Sequence, residues 1–283
     1  MISGKPFCND LDPEMTLKNT ITLLLFLSLW SAEARAQDTC VYLFSIPGSA
    51  HFVAGDHLAN TYLLHGFEVE KYDSTGRFVS RYSNNRLGAP AFLDASNPLK
   101  VLVWYADYQT AVFLDRNLTE LGRLKLGEVG YPAVRCLASA ADGNLWAYDE
   151  SSAYLLKLST AGEKLLESQP LSLEFSQRFA PACIRDDGGQ GVFLSDPLQG
   201  VAVFDPFAQL DKTLLLKGLT RFEVENGTLY FADQAGIHIE NWRGGYSKTT
   251  QLPATAKLAN AAFWFSKKRL FVLTEPGLAV YSF

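Results

Sequence analysis

An acidic residue closes a short apolar run every forty or so positions along the second two-thirds of this chain. Asp107 follows Val101–Tyr105, Asp149 follows Leu145–Tyr148, and Asp196 follows Val192–Ser195. Asp233 follows Leu229–Ala232, and Glu275 follows Leu270–Thr274. The steps are 42, 47, 37 and 42 residues. Runs of four to six residues are strand-length. A period in this range, built from strands, specifies an array of four-stranded units such as a β-propeller.

The residues around each landmark repeat as well. A turn and a second apolar strand come after it, as in Ala111–Leu114, Val201–Phe204 and Leu278–Tyr281. A polar hairpin follows, such as Asp73-Ser74-Thr75-Gly76 or Ser159-Thr160-Ala161-Gly162, and then a fourth strand. A strand also precedes each landmark strand. Three of these open on a proline, in Ala89-Pro90-Ala91, Tyr131-Pro132-Ala133 and Ala180-Pro181-Ala182. Proline at the first strand position costs least, because no ladder donor is lost there. Each unit is therefore four strands, a to d, with the landmark acid in the b–c turn.

Stepping back from Asp107 places His65 at the same point of a first unit, with its strand a near His51–Gly55. That makes six units. The last ends at Phe283 without a strand d, and Cys40–Ile46 is a spare strand able to supply it. The expected fold is all-β: a six-bladed propeller of antiparallel blades, closed by an N-terminal strand that removes the open edges. Membrane-barrel strands need roughly 9–11 alternating residues, longer than these runs.

The strand c, Asp-Ser-Thr-Gly-Arg hairpin, strand d segment at 69–82 resembles a blade of the NHL and SMP-30-like six-bladed propellers. That group includes protein-binding scaffolds, ligand-binding domains and metal-dependent lactonases. The resemblance therefore implies architecture rather than one activity.

The chain ahead of the repeat reads as an export signal. Met15 is followed by Lys18, the apolar core Ile21–Trp30 and the A-x-A site Ala34-Arg35-Ala36. Residues 1–14 read as an over-long start, 15–36 as the signal peptide and 37–283 as the propeller. The apolar core is shorter than the roughly 20 residues of a membrane span, so no span is expected after cleavage. The expected location is secreted or periplasmic, including association with the outer membrane. A net charge of −5 argues against a nucleic-acid binder.

Candidate sites fall in two places. The first is the rim of b–c turns carrying Asp107, Asp149, Asp196, Asp233 and Glu275. An acid repeated in nearly every unit is expected to fix its own turn by accepting backbone N–H bonds. The second is the set of d–a connections, where the repeat breaks. Arg86, Tyr131, Arg178, Arg221 and Lys257 map there, near the central mouth, and basic residues on variable loops suit an anionic or polar ligand or a partner's loop. Cys136 and Cys183 occupy equivalent positions in adjacent strands a; they read as small core residues, with a disulfide as the alternative. His51, Asp56 and His57 form a loose polar trio.

No G-x-S-x-G elbow, H-E-x-x-H helix or phosphate loop occurs in the sequence. The expectation is a non-enzymatic scaffold that binds a protein of the cell envelope, with no cofactor. The alternative is a metal-dependent hydrolase of the lactonase type, holding calcium or another divalent cation at the central mouth. Asp94, Asp186, Asp187 and Asn260 are its available ligands, since hard cations take oxygen donors.

Overall fold

The computed structural model describes, apart from Met1, residues 40–233, 235–253, 261–266 and 268–283. All lie in one compact unit, Asp38–Phe283. The signal-peptide segment, Lys257 and Asn260 lie outside the described residues.

The unit is a six-bladed propeller of four-stranded antiparallel blades. Blade 1 is Phe52–Gly55, Thr61–His65, Glu68–Tyr72 and Phe78–Ser83, and blade 2 is Phe92–Asp94, Val101–Tyr105, Thr110–Leu114 and Glu120–Lys125. Blade 3 is Val134–Ser139, Leu145–Asp149, Tyr154–Leu158 and Lys164–Glu167, and blade 4 is Cys183–Asp186, Val192–Asp196, Gly200–Phe204 and Leu210–Leu214. Blade 5 is Glu223–Glu225, Thr228–Ala232, Ile237–Asn241 and Ser247–Thr250. Blade 6 takes Ala262–Ser266, Arg269–Thr274 and Gly277–Ser282 from the end of the chain. Its strand d is Val41–Pro47, paired antiparallel to Gly277–Ser282 from Val41↔Ser282 to Pro47↔Gly277. Among the described residues, no helix is long and apolar enough to cross a membrane.

The continuous apolar runs follow from the packing. Strands b and c are covered on both faces by neighbouring blades, so they do not alternate. All five residues of Val101–Tyr105, Thr110–Leu114, Val192–Asp196 and Gly200–Phe204 are buried. Each interface between blades has its own core. Trp146, Tyr148, Ile184 and Phe204 fill the one between blades 3 and 4, and Ile46, Val53, Trp264 and Phe271 the one between blades 6 and 1. Deleting a buried aromatic from such a core costs about 3–5 kcal/mol. Strands d lie at the outer rim and are mostly half-exposed or exposed.

Two turns recur with different regularity. The c–d hairpin is the stricter one. Asp73, Asp115 and Asp205 each accept backbone N–H bonds from the residues two and four ahead, and Ser159 does the same through its hydroxyl. The b–c turn is less uniform. Gly200 and Gly277 open strand c in blades 4 and 6, and Gly236 immediately precedes it in blade 5, with φ of 110°, 149° and 157°. A Cβ at each would strike a strand-d carbonyl: Leu214, Thr250 and, in blade 6, Ile46. The N-terminal strand thus stands where any other strand d stands.

The prolines that announce strand a sit two residues ahead of it rather than at its first position. From there their carbonyls tie blades together. The Pro90 carbonyl is 2.9 Å from His51 Nε2 of blade 1. The Pro181 carbonyl accepts from Arg135 Nε at 3.0 Å and from Cys136 Sγ at 2.8 Å, both in blade 3.

Candidate functional site

The six strands a surround the axis, and their two ends open into two different cavities. At the a–b turn end a cavity of about 460 Å³ is lined by Asp94, Asp186, Asp187, Glu223 and Glu225 among others. At the d–a end a cavity of about 310 Å³ is lined by Arg135, Arg185 and Arg221 and, among the described residues, by no carboxylate. Arg185 and Arg221 border both. The axis is therefore polarised, acidic at one mouth and basic at the other, and the basic mouth favours an anion.

The acids are engaged in holding blades together. Asp94 accepts from Ser139 N of blade 3 at 2.8 Å. Asp186 accepts from Trp146 Nε1 at 2.8 Å and from Gly189 N at 2.6 Å, and burial pushes its pKa up. Asp187 accepts from Gly227 N of blade 5 at 2.8 Å. Glu223 pairs with Arg185 Nε at 3.2 Å; burial raises its pKa to about 7, against the pull of the Arg185 charge and with help from Asp94.

Aromatic rings border the basic mouth through Phe52 and Phe92 and the acidic cavity through Trp264. Phe52 packs edge-on against Phe92 at 5.2 Å and against Trp264 at 6.0 Å. Arg185 lies over Phe92 at 5.2 Å and Arg221 over Trp264 at 4.6 Å. Each guanidinium thus rests on an end of a three-ring series, an arrangement that cation–π attraction stabilises. Arg185 spends Nε on Glu223 and one terminal nitrogen on the Ile184 carbonyl, and Arg135 bonds Glu150 and Pro181. Arg221 has neither a carboxylate partner nor a hydrogen bond among the described residues. Burial draws its pKa below the ordinary arginine value. Trp104, 1 % exposed, lines the same cavity, and its Nε1 is buried without a partner.

Of the described residues among those expected at this mouth, Arg221 alone lines it. Arg86 is exposed and borders neither cavity, Tyr131 packs against the core between blades 2 and 3, and Arg178 pairs with Glu150 at 2.9 Å. Distance along the chain explains the division. Arg221 lies two residues before its strand a, whereas Arg86 and Arg178 lie six and five before theirs, and each extended residue adds about 3.3 Å. Arg135 was legible as a charge inside an otherwise buried inner strand, a sign that the strand borders a cavity, whereas Arg185 and Glu223 lie in short strands with other half-buried charges.

The acidic landmarks also divide. Asp149 accepts from Ser151 and Ser152, and Asp196 from Ala180 N, Leu198 N and Gln199. Asp233 accepts from Ala235 N and Gly236 N and faces His238 at 2.9 Å. In blade 2 the turn is a 3-10 segment, Ala106–Tyr108, and Gln109 rather than Asp107 makes its bonds, to Ala106 and to both backbone groups of Val134. Glu275 is exposed. In blade 1 the place is held by His65, 3.5 Å from Glu68 and 3.3 Å from Glu70.

Among the described residues, His65, Glu68 and Glu70 are the one group of His, Cys, Asp and Glu side chains whose ligand atoms lie within 4.8 Å of one another. Arg81 and the Tyr72 hydroxyl already bond its two carboxylates. Asp94, Asp186 and Asp187 form no such group at the axis. Asp56 is buried and bonds Leu58 N, Asn60 and Tyr62, apart from His51 and His57, which line opposite cavities. Cys136 and Cys183 are free, buried thiols.

No protein-family model matches the chain, and no curated protein matches it in sequence. Solved structures match it as a fold. A catalytically inactive variant of virginiamycin B lyase from Staphylococcus aureus with quinupristin aligns at TM-score 0.60 and 8% identity, over 85% of this chain and 98% of that one. The Neurospora crassa Pan2 WD40 domain aligns at 0.59 and 10%, over 87% and 96%. BBS1N in complex with ARL6DN aligns at 0.52 and 10%, over 82% and 77%. At these identities the likeness extends to the propeller architecture, which serves a lyase and a WD40 domain alike.

Proposed function

We propose that this chain is an exported, non-enzymatic binding propeller of the cell envelope that receives an anionic group at the d–a mouth of its axis. One observation carries the reading: a cavity with three arginines in its wall and, among the described residues, no carboxylate there and no charge partner for Arg221. The group is presented by a small ligand or by a protein partner's chain. Placement in the NHL and SMP-30-like group belongs to the same proposal and rests on the hairpin at 69–82. BBS1N, whose solved structure includes ARL6DN, supports a binding role by fold likeness alone. Export rests on the segment from Met15 to Ala36.

The test is affinity capture from an envelope extract with wild type and Arg221→Met side by side, together with fractionation of cells expressing the full chain. The reading expects a mature protein starting near Gln37 outside the cytoplasm, and a partner or anion lost with Arg221→Met. A protein retained in the cytoplasm with its leader intact would sink the export reading. Capture and anion binding indifferent to Arg221 would sink the binding site.

A further inference from the structure

The basic mouth has more chemistry in it than positive charge, and that chemistry narrows the ligand. Besides the three arginines its wall contains Phe52, Phe92, Trp104, Leu137 and Ile184. A bare inorganic anion has no use for such a surface, whereas burying apolar area contributes roughly 25 cal/mol per Å². The volume of about 310 Å³ is at the small end of organic-ligand pockets.

Arg221 lies over the Trp264 ring at 4.6 Å and has no hydrogen-bond partner among the described residues, and the N–H edge of a guanidinium matches a carboxylate bidentately.

On this basis we infer that the d–a mouth binds a carboxylate carried on a flat apolar body, with the carboxylate on Arg221 and the body against Phe52 and Phe92. The inference rests on the anion-binding reading of the same mouth and adds the class of ligand. Two sources share the chemistry: a free aromatic acid, and the C-terminal carboxylate of a chain ending in an aromatic residue.

The test titrates the purified mature protein by calorimetry and tryptophan fluorescence. Phenylacetate is compared with benzyl alcohol, which lacks the charge, and with acetate and inorganic phosphate, which lack the body. The tripeptide Ala-Ala-Phe is compared as free acid and as amide. Phenylacetate or the free-acid tripeptide is expected to bind at least tenfold more tightly than its uncharged twin and than acetate. Arg221→Met, an exposed position, is expected to weaken that binding at least tenfold. Binding of the free-acid tripeptide alone points to a partner's terminus, binding of phenylacetate alone to a small ligand; either supports the inference. If acetate and phosphate bind through Arg221 and the aromatic body adds nothing, the ligand class is wrong and the anion site stands. If nothing tested binds in an Arg221-dependent way, both are wrong.

Discussion

Gly277→Ala tests the closure of the ring at a single atom. Gly277 has φ of 149°, and a Cβ there would meet the Ile46 carbonyl, with Pro47 Cα at 3.0 Å. An L-residue in that conformation costs about 1–3 kcal/mol. The carbonyl belongs to the backbone of the closing strand, so it moves only if the ladder between Val41–Pro47 and Gly277–Ser282 shifts. Losing one or two of those bonds adds about 1 kcal/mol each. The expected total is about 2–5 kcal/mol, a melting-point drop of roughly 5–15 °C for a domain of this size. Thermal and urea unfolding measure it. Ile46, 2 % exposed, provides the internal control. Ile46→Ala alone is expected to cost about 2–4 kcal/mol, and less than that once Gly277→Ala has loosened the ladder beside it. A Gly277→Ala protein melting within about 1 °C of wild type would refute the seam as described.

Glu223 makes stability depend on pH. Burial holds its pKa at about 7 in the folded protein, above the 4.5 of a free glutamate, so the folded state retains the proton longer. Stability from this group therefore falls as pH rises from about 4.5 to about 7 and is flat above. The full effect is at most about 3 kcal/mol, and less here because 29% of the side chain is open to the channel. Glu223→Gln should remove that slope in urea titrations across the window; an unchanged slope would contradict the burial assigned to it. Cys136 and Cys183, whose thiols burial pushes up, should resist a thiol reagent in the native protein and react once it is unfolded; a Cys136–Cys183 disulfide found by mass spectrometry would overturn this. Asp149→Ala should cost about 1–3 kcal/mol through its lost bonds to Ser151 and Ser152. Asp107→Ala should stay within about 0.5 kcal/mol, since Gln109 holds that turn; equal costs at both positions would refute the division of the landmark acids.

The architecture was legible because propeller strands b and c are covered on both faces, which turns them into unbroken apolar runs at a fixed period. Val101–Tyr105 and Val192–Asp196 are read directly from the sequence for this reason. The closing strand was legible too, as an unassigned strand at one end opposite a missing one at the other. The site was legible only in part. Chain position places a residue near the mouth, but reaching the axis is a matter of a few residues of loop, which separates Arg221 from Arg86 and Arg178. Likewise, which acid holds a turn depends on local backbone geometry. Asp115 and Asp205 repeat the work of Asp73 in the c–d hairpins, while Asp107, at the expected place in the b–c series, yields to its neighbour Gln109. Periodicity carries no record of a side chain's partners.

The central claim is that the d–a mouth binds an anion through Arg221, and calorimetric titration of wild type and Arg221→Met with phenylacetate tests it most directly. The account predicts saturable binding to wild type, weakened at least tenfold in Arg221→Met, with a melting temperature lowered by no more than about 4 °C through the lost Trp264 contact. Equal binding by the two proteins would contradict it.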